Sequence, residues 1–184
     1  NSKLISKKVV FERQKKDLNT EDLVNIVKRA KRKYYSKTNP ATKAFQALRI
    51  FVNKEISELV FGLINSFKIL PIGGMILIVT FHSLEDKIVK YFFKNYSSIK
   101  NVSRYLPVNT INKKLFKLIE NKPIIPSKKE IKVNPQSRSA KLRYAFKIGK
   151  ESDFSEFLKK FNYLLEIEKF GKKLWKKLFF LLWF

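Results

Sequence analysis

Between residues 71 and 97 the chain passes from a glycine pair through a short apolar run into a charged, periodic segment, and that passage leaves few folds open. Gly73-Gly74 precede Met75-Ile76-Leu77-Ile78-Val79, an uninterrupted apolar run rich in β-branched residues. Such a run predicts a strand, about 75–81, covered on both faces. Ser83, with Asp86 three residues on, is a helix-start pair, since a hydroxyl and a carboxylate can accept from free N–H groups. Leu84, Ile88, Phe92 and Tyr96 then mark the buried side of a helix ending near Tyr96. His82, the only histidine, stands at the join. In an open α/β sheet the carboxyl end of a strand is where ligands bind, so His82 occupies a position suited to chemistry.

The flanking segments are mainly helical. Residues 2–14 alternate lysines with Leu4, Ile5, Val9 and Phe11, and a second helix is expected to be capped by Thr20 and to bury Leu23, Val24, Val27 and Ala30. It runs into the basic cluster Lys28-Arg29-Ala30-Lys31-Arg32-Lys33 and Tyr34-Tyr35, either a solvated face or a phosphate-binding patch with stacking rings. Asn39-Pro40 open a further helix whose stripe is Phe45, Leu48, Val52, Ile56, Leu59 and Leu63. Thr42, Gln46, Arg49 and Asn53 form another line on that helix, suited to hydrogen bonding with RNA or with another domain. Further on, 114–120 reads as a short strand. Pro123 and Pro126 enforce extended backbone, and 141–148 alternates as a strand with one solvated face.

Composition narrows the partner. A formal charge of +25 on 184 residues suits a polyanion, nucleic acid or an acidic membrane surface, although an AT-rich genome would also enrich lysine. Without cysteine, and with one histidine, neither a thiolate nor a multi-histidine metal site can form within the chain, so no metal is expected. The closing run Leu178–Phe184 is shorter than the ~20 residues of a membrane span. It is left open as an interfacial anchor, a truncated span or a piece of core.

Three blocks in order carry a resemblance: Asn39-Pro40-Ala41-Thr42-Lys43-Ala44-Phe45-Gln46-Ala47-Leu48-Arg49 through Glu55; Gly73-Gly74 through Thr80-Phe81-His82-Ser83-Leu84-Glu85-Asp86-Lys87; and Asn134-Pro135-Gln136-Ser137-Arg138-Ser139-Ala140-Lys141-Leu142-Arg143. Residues 1–148 resemble the carboxy-terminal half of the RsmH (MraW) family, bacterial ribosomal RNA small-subunit methyltransferases H. The resemblance implies an α/β chain with an incomplete class I (Rossmann-like) methyltransferase fold. Residues 1–38 would be part of a helical insertion domain, 39–148 the C-terminal part of the methyltransferase domain, and 149–184 a basic and apolar helical tail outside the family pattern. The strands at 75–81, 114–120 and 141–148 would be the fifth, the sixth and an antiparallel seventh.

It also implies N4-methylation of a cytidine in the 16S rRNA decoding centre, in the cytoplasm, with S-adenosylmethionine as methyl donor. The family's glycine-rich loop and acidic ribose contact lie in an N-terminal half absent from this sequence. No cofactor contact can be carried over, and the chain alone is expected to be inactive. Asn134, Arg138, Ser139, Lys141 and Arg143 would face the RNA together with Thr42, Gln46, Arg49 and Asn53. His82 would be either an acid-base group beside the substrate or an imidazole pinning the strand-helix turn, with Ser83, Glu85 and Asp86 as helix caps. The competing reading is a non-catalytic basic module that binds RNA or a membrane surface.

Overall fold

A computed structural model of the protein describes residues 2–31, 39–97, 114–150 and 153–181, with side chains described through residue 170. The chain divides into two units, Asn1–Glu55 and Ile56–Phe184.

The first unit holds α1 (Ser2–Arg13), α2 (Thr20–Ala30) and α3 (Thr42–Asn53). The cap of α2 is Asn19, one residue before the expected Thr20. Asn19 Oδ1 accepts from the Asp22 N–H at 2.9 Å and Asp22 Oδ2 accepts from the Asn19 N–H at 3.1 Å. This reciprocal capping box satisfies two otherwise free donors. Ile26, Val27 and Ala30 form the buried side of the helix. Ahead of α3, Asn39 Oδ1 accepts from the Ala41 N–H, so Asn39-Pro40-Ala41 form a turn and the helix begins at Thr42.

The single stripe expected from Phe45 to Leu63 is broken. Lys54 adopts the left-handed conformation (φ 54°) and its N–H reaches back to the Ile50 and Phe51 carbonyls, ending α3. A lysine there costs about 1–2 kcal/mol, a local penalty that apolar periodicity cannot reveal.

The second unit contains α4 (Glu55–Ile69, whose first residue belongs to the first unit), β1 (Met75–Thr80), α5 (Ser83–Ser97), β2 (Phe116–Lys117), α6 (Lys128–Val133), a 3-10 turn at Pro135–Ser139, β3 (Lys141–Lys147) and α7 (Ser155–Leu181). The strands form one sheet in the order β1-β3-β2, with β3 antiparallel to both neighbours. The described part of the expected 114–120 strand shrinks to two residues, and Ile124 adds an isolated bridge to Leu142. Helix α6 was not expected. Its signal was present in Ser127-x-x-Glu130, and Ser127 Oγ accepts from the Glu130 N–H.

Strand register sorts the side chains onto two faces. Pairing of Leu77 with Tyr144 and Val79 with Leu142 puts Met75, Leu77, Val79, Leu142, Tyr144 and Phe146 on one face. Ile76, Ile78, Thr80, Lys141, Arg143, Ala145 and Lys147 share the other. Helix α5 lies on the sheet, and Phe92, Phe93, Phe116, Phe154 and Phe157 make a ring cluster with centroids 4.8–6.0 Å apart. Phe157, Phe161 and Leu165, buried at helical spacing, show that α7 completes this core although it lies in the segment read as a tail.

Strand β1 is not covered on both faces: Leu77 and Val79 are 54% and 55% exposed. Strand β3 buries its polar set, Arg143 and Lys147, rather than turning it to solvent.

Helix α4 is held at both ends by buried charges from elsewhere in the chain. Glu168 of α7, 3% exposed, accepts from the Ile56 and Ser57 N–H groups at 3.1 and 2.8 Å and from Ser57 Oγ at 2.6 Å. At the other end Lys147 Nζ donates to the Phe67 and Leu70 carbonyls, each at 2.7 Å. A carboxylate at the N-terminus and an ammonium at the C-terminus match the helix dipole and satisfy terminal groups that the helix cannot pair itself.

Candidate functional site

The carboxyl end of β1 runs into α5 through Phe81 and His82. His82 Nδ1 accepts from the Glu85 N–H at 3.3 Å, while Glu85 Oε2 accepts from the Phe81 and His82 N–H groups at 2.9 and 3.2 Å. His82 is therefore the cap of α5 and Glu85 its third-position partner, one residue ahead of the expected Ser83/Asp86 pair. His82 Nε2 lies 3.3 Å from Glu85 Oε1, and the side chain is 9% exposed.

Asp86 is free of capping duty and joins α5 to β3. Its Oδ1 accepts from Arg143 Nε at 2.7 Å and its Oδ2 from Lys141 Nζ at 3.1 Å. Partial burial alone would raise the Asp86 carboxyl, but the hydrogen bonds and charges of Arg143 and Lys141 outweigh it and hold the group below its ordinary 3.8. Arg143 also donates through Nη1 to the Asn121 carbonyl at 3.0 Å. Thr80, the last residue of β1, is buried, with Oγ1 3.4 Å from the Lys141 carbonyl.

Asn134 opens the 3-10 turn by accepting from the Gln136 N–H, and buried Ser137 donates to the Asn134 carbonyl at 2.8 Å. Those bonds leave Arg138 and Ser139 exposed on a fixed turn directly before β3. Register pairs Thr80 with Lys141, so this turn and His82 lie at the same end of the sheet.

The sequence-derived residues thus take different places. Arg138 and Ser139 face solvent, Asn134 is exposed but spends its side-chain oxygen on the turn, and Lys141 is half-buried against Asp86. Arg143 is inside, its guanidinium spent on Asp86 and Asn121. In the first unit Thr42, Gln46, Arg49 and Asn53 all lie on α3. Arg49 makes a two-pronged bond to Glu55 at 2.7 and 3.1 Å, and Asn53 reaches the same carboxylate. Of the basic cluster, Lys28 and Arg29 are exposed, whereas Arg32 to Tyr35 lie outside the described residues. The side chains of Leu178–Phe184 do too, and none of the described helices is long and apolar enough to cross a membrane. Sequence reasoning missed Asn121, whose contribution is a backbone carbonyl that any residue type could supply.

A family model described as the MraW methylase family matches residues 1–148. A protein of Clostridioides difficile named ribosomal RNA small subunit methyltransferase H is 44% identical over 151 residues, covering 80% of this chain and 49% of that protein. Proteins of the same name from Ehrlichia chaffeensis and Wigglesworthia glossinidia brevipalpis are 45% and 42% identical, covering 80% and 79% of this chain and 48% of each relative. The chain spans about half the length of the curated relatives it matches.

Proposed function

The chain belongs to the MraW methylase family, and on that premise we propose that it carries the RNA-facing part of a small-subunit rRNA methyltransferase. In this reading the whole protein methylates N4 of a cytidine in the 16S rRNA decoding centre, in the cytoplasm. The observation that carries it is the end of the sheet itself, where the capped β1–α5 junction and the exposed Arg138-Ser139 turn stand side by side. The order β1-β3-β2 with an antiparallel centre suits the fifth, seventh and sixth strands of a class I methyltransferase sheet. A bare apolar sheet face suits a fold whose other half lies in further polypeptide.

S-adenosylmethionine, when bound, supplies an electrophilic methyl group. The described glycines do not fit a cradle for it. Gly73 and Gly74 sit at the opposite end of β1 from His82, tied by backbone bonds to Lys147. A Cβ on Gly74 would lie 2.7 Å from Leu70 Cγ, so close packing accounts for that glycine. In this reading the methyl donor is held by further polypeptide, and the chain's own residues act on the RNA.

The exocyclic amine of cytosine is a weak nucleophile, and alignment supplies much of the acceleration. In this reading exposed Arg138 binds a phosphate, with Ser139 and Asn134 offering hydrogen bonds, and such contacts fix register. Lys141 and Arg143 act through Asp86, locking the start of β3 to α5, and are positioning residues. In this reading His82 positions as well, because its Nδ1 is spent on the helix cap and its buried Nε2 faces Glu85.

Radiolabel transfer from S-adenosylmethionine to small-subunit RNA tests the reading. Label is expected with the whole protein, reduced by Arg138→Ala, and none with this chain alone. Micromolar calorimetric binding of S-adenosylmethionine by the chain alone would sink the division of labour. The charge of +25 favours a second reading, a non-catalytic RNA-binding module, which predicts RNA binding without methyl transfer by any form of the protein.

A further inference from the structure

Away from the sheet end, a cleft of about 370 Å³ opens between α5 and the segment following β2. Lys90 and Lys94 line it from α5, Lys122 from the opposite wall and Arg143 from β3, with buried Phe93 contributing apolar surface and Glu120 the only acid among its lining residues. Among the described residues Lys90 and Lys122 form no ion pair, whereas Arg143 is fixed by Asp86 and the Asn121 carbonyl. Three ammonium groups against the single carboxylate of Glu120, around one recess beside an apolar surface, raise the local positive potential and focus it on an anion.

The cleft also has a direction. Helix α5 starts at the sheet end that holds His82, and a rise of 1.5 Å per residue puts Lys90 and Lys94 about 10 and 16 Å along it. A strand whose base lies at that end can carry neighbouring phosphates along this side.

We propose that the cleft of Lys90, Lys94 and Lys122 is a phosphodiester subsite that holds the RNA strand running away from the methylated nucleotide. This rests on the reading above and adds a second contact surface to it. The ligand chemistry is a phosphate monoanion in a polymer, so the free ion and a mononucleotide are the alternatives to separate.

The test is anisotropy titration of the full 184-residue chain with a short fluorescein-labelled single-stranded RNA across a salt series. Each phosphate neutralised on a single strand adds about 0.7 to the slope of log K against log salt, so Lys90→Ala/Lys122→Ala should lower its magnitude by about 1.4. The control Lys3→Ala/Lys7→Ala removes the same charge from exposed positions on α1 and should change it by less than half as much. Circular dichroism should be unchanged in both. Equal losses in the two pairs would reduce the cleft to bulk charge and overturn the proposal. Displacement of the RNA by inorganic phosphate or cytidine monophosphate at low millimolar concentration would also overturn it, by making the cleft a small-anion site. A wild-type chain whose RNA binding ignores salt would sink the RNA reading itself. Salt-dependent binding that falls with Arg138→Ala but not with the cleft pair would sink the cleft alone.

Discussion

The two faces of the sheet are built from materials that look interchanged. The face under α5 carries Lys141, Arg143 and Lys147 yet is covered, whereas the face of Met75, Leu77, Val79, Leu142, Tyr144 and Phe146 is exposed along its β1 side. The covered face tolerates its charges because each has a fixed partner: Asp86 for Lys141 and Arg143, and the carbonyls of α4 for Lys147. Burying charge is costly unless it is paired and hydrogen-bonded. The bare face has no such reason to meet water, and a contiguous exposed apolar patch marks an interaction surface. Exposure in an isolated chain is thus a poor guide to what a face is for, and the chemistry of its residues is a better one.

The contrast can be broken first at its most buried point. Phe92→Ala, in the centre of the ring cluster, should cost about 3–5 kcal/mol in chemical denaturation, and a loss under about 1 kcal/mol would mean that the covered face is not the core. Glu168→Ala leaves the Ile56 and Ser57 N–H groups without their acceptor and should cost about 2–4 kcal/mol, an effect confined to the covered side.

Asp86→Asn should cost about 2 kcal/mol at neutral pH, from charge-assisted bonds made weaker. The folded carboxyl titrates below its ordinary value, so its contribution is complete above about pH 5. It is lost as pH falls through the lowered value, and wild type and variant should converge there in a pH series of denaturation midpoints. His82→Ala should cost about 1 kcal/mol, with His82→Asn recovering most of it. An Asn variant as unstable as Ala would remove the cap from the account. Smallest of all, Leu77→Thr on the bare face should change the isolated chain by no more than about 0.5 kcal/mol while lowering dye binding to exposed apolar surface. A loss above about 2 kcal/mol would show that this face is covered in solution.

Periodicity made much of the architecture legible: β1, β3 and the helices around them stand within a few residues of where apolar spacing puts them. It could not show which face of β3 goes inside, since Arg143 and Lys147 are buried only because partners distant in sequence meet them. Nor could it show the break at Lys54, a single-residue backbone event. At the candidate site the position of His82 at a strand end was readable. Its use of Nδ1 as a helix cap was not, because imidazole is outside the usual capping set. The segment after residue 148 was readable as a helix from Phe154 to Leu165, but only the fold shows what its apolar face meets.

The clamping of α4 between Glu168 and Lys147 also constrains the order of assembly. The N-terminal acceptor lies more than a hundred positions downstream of the donors it serves, and the ammonium at the other end about eighty. During synthesis α4 leaves the ribosome long before either arrives, so its terminal groups must rest on water until β3 and then α7 are made. Contacts of such sequence separation form late. Substitutions at Glu168 should therefore speed unfolding and leave the folding rate almost unchanged. On that expectation α7 is a latch, closing over parts of the fold that collapse before it.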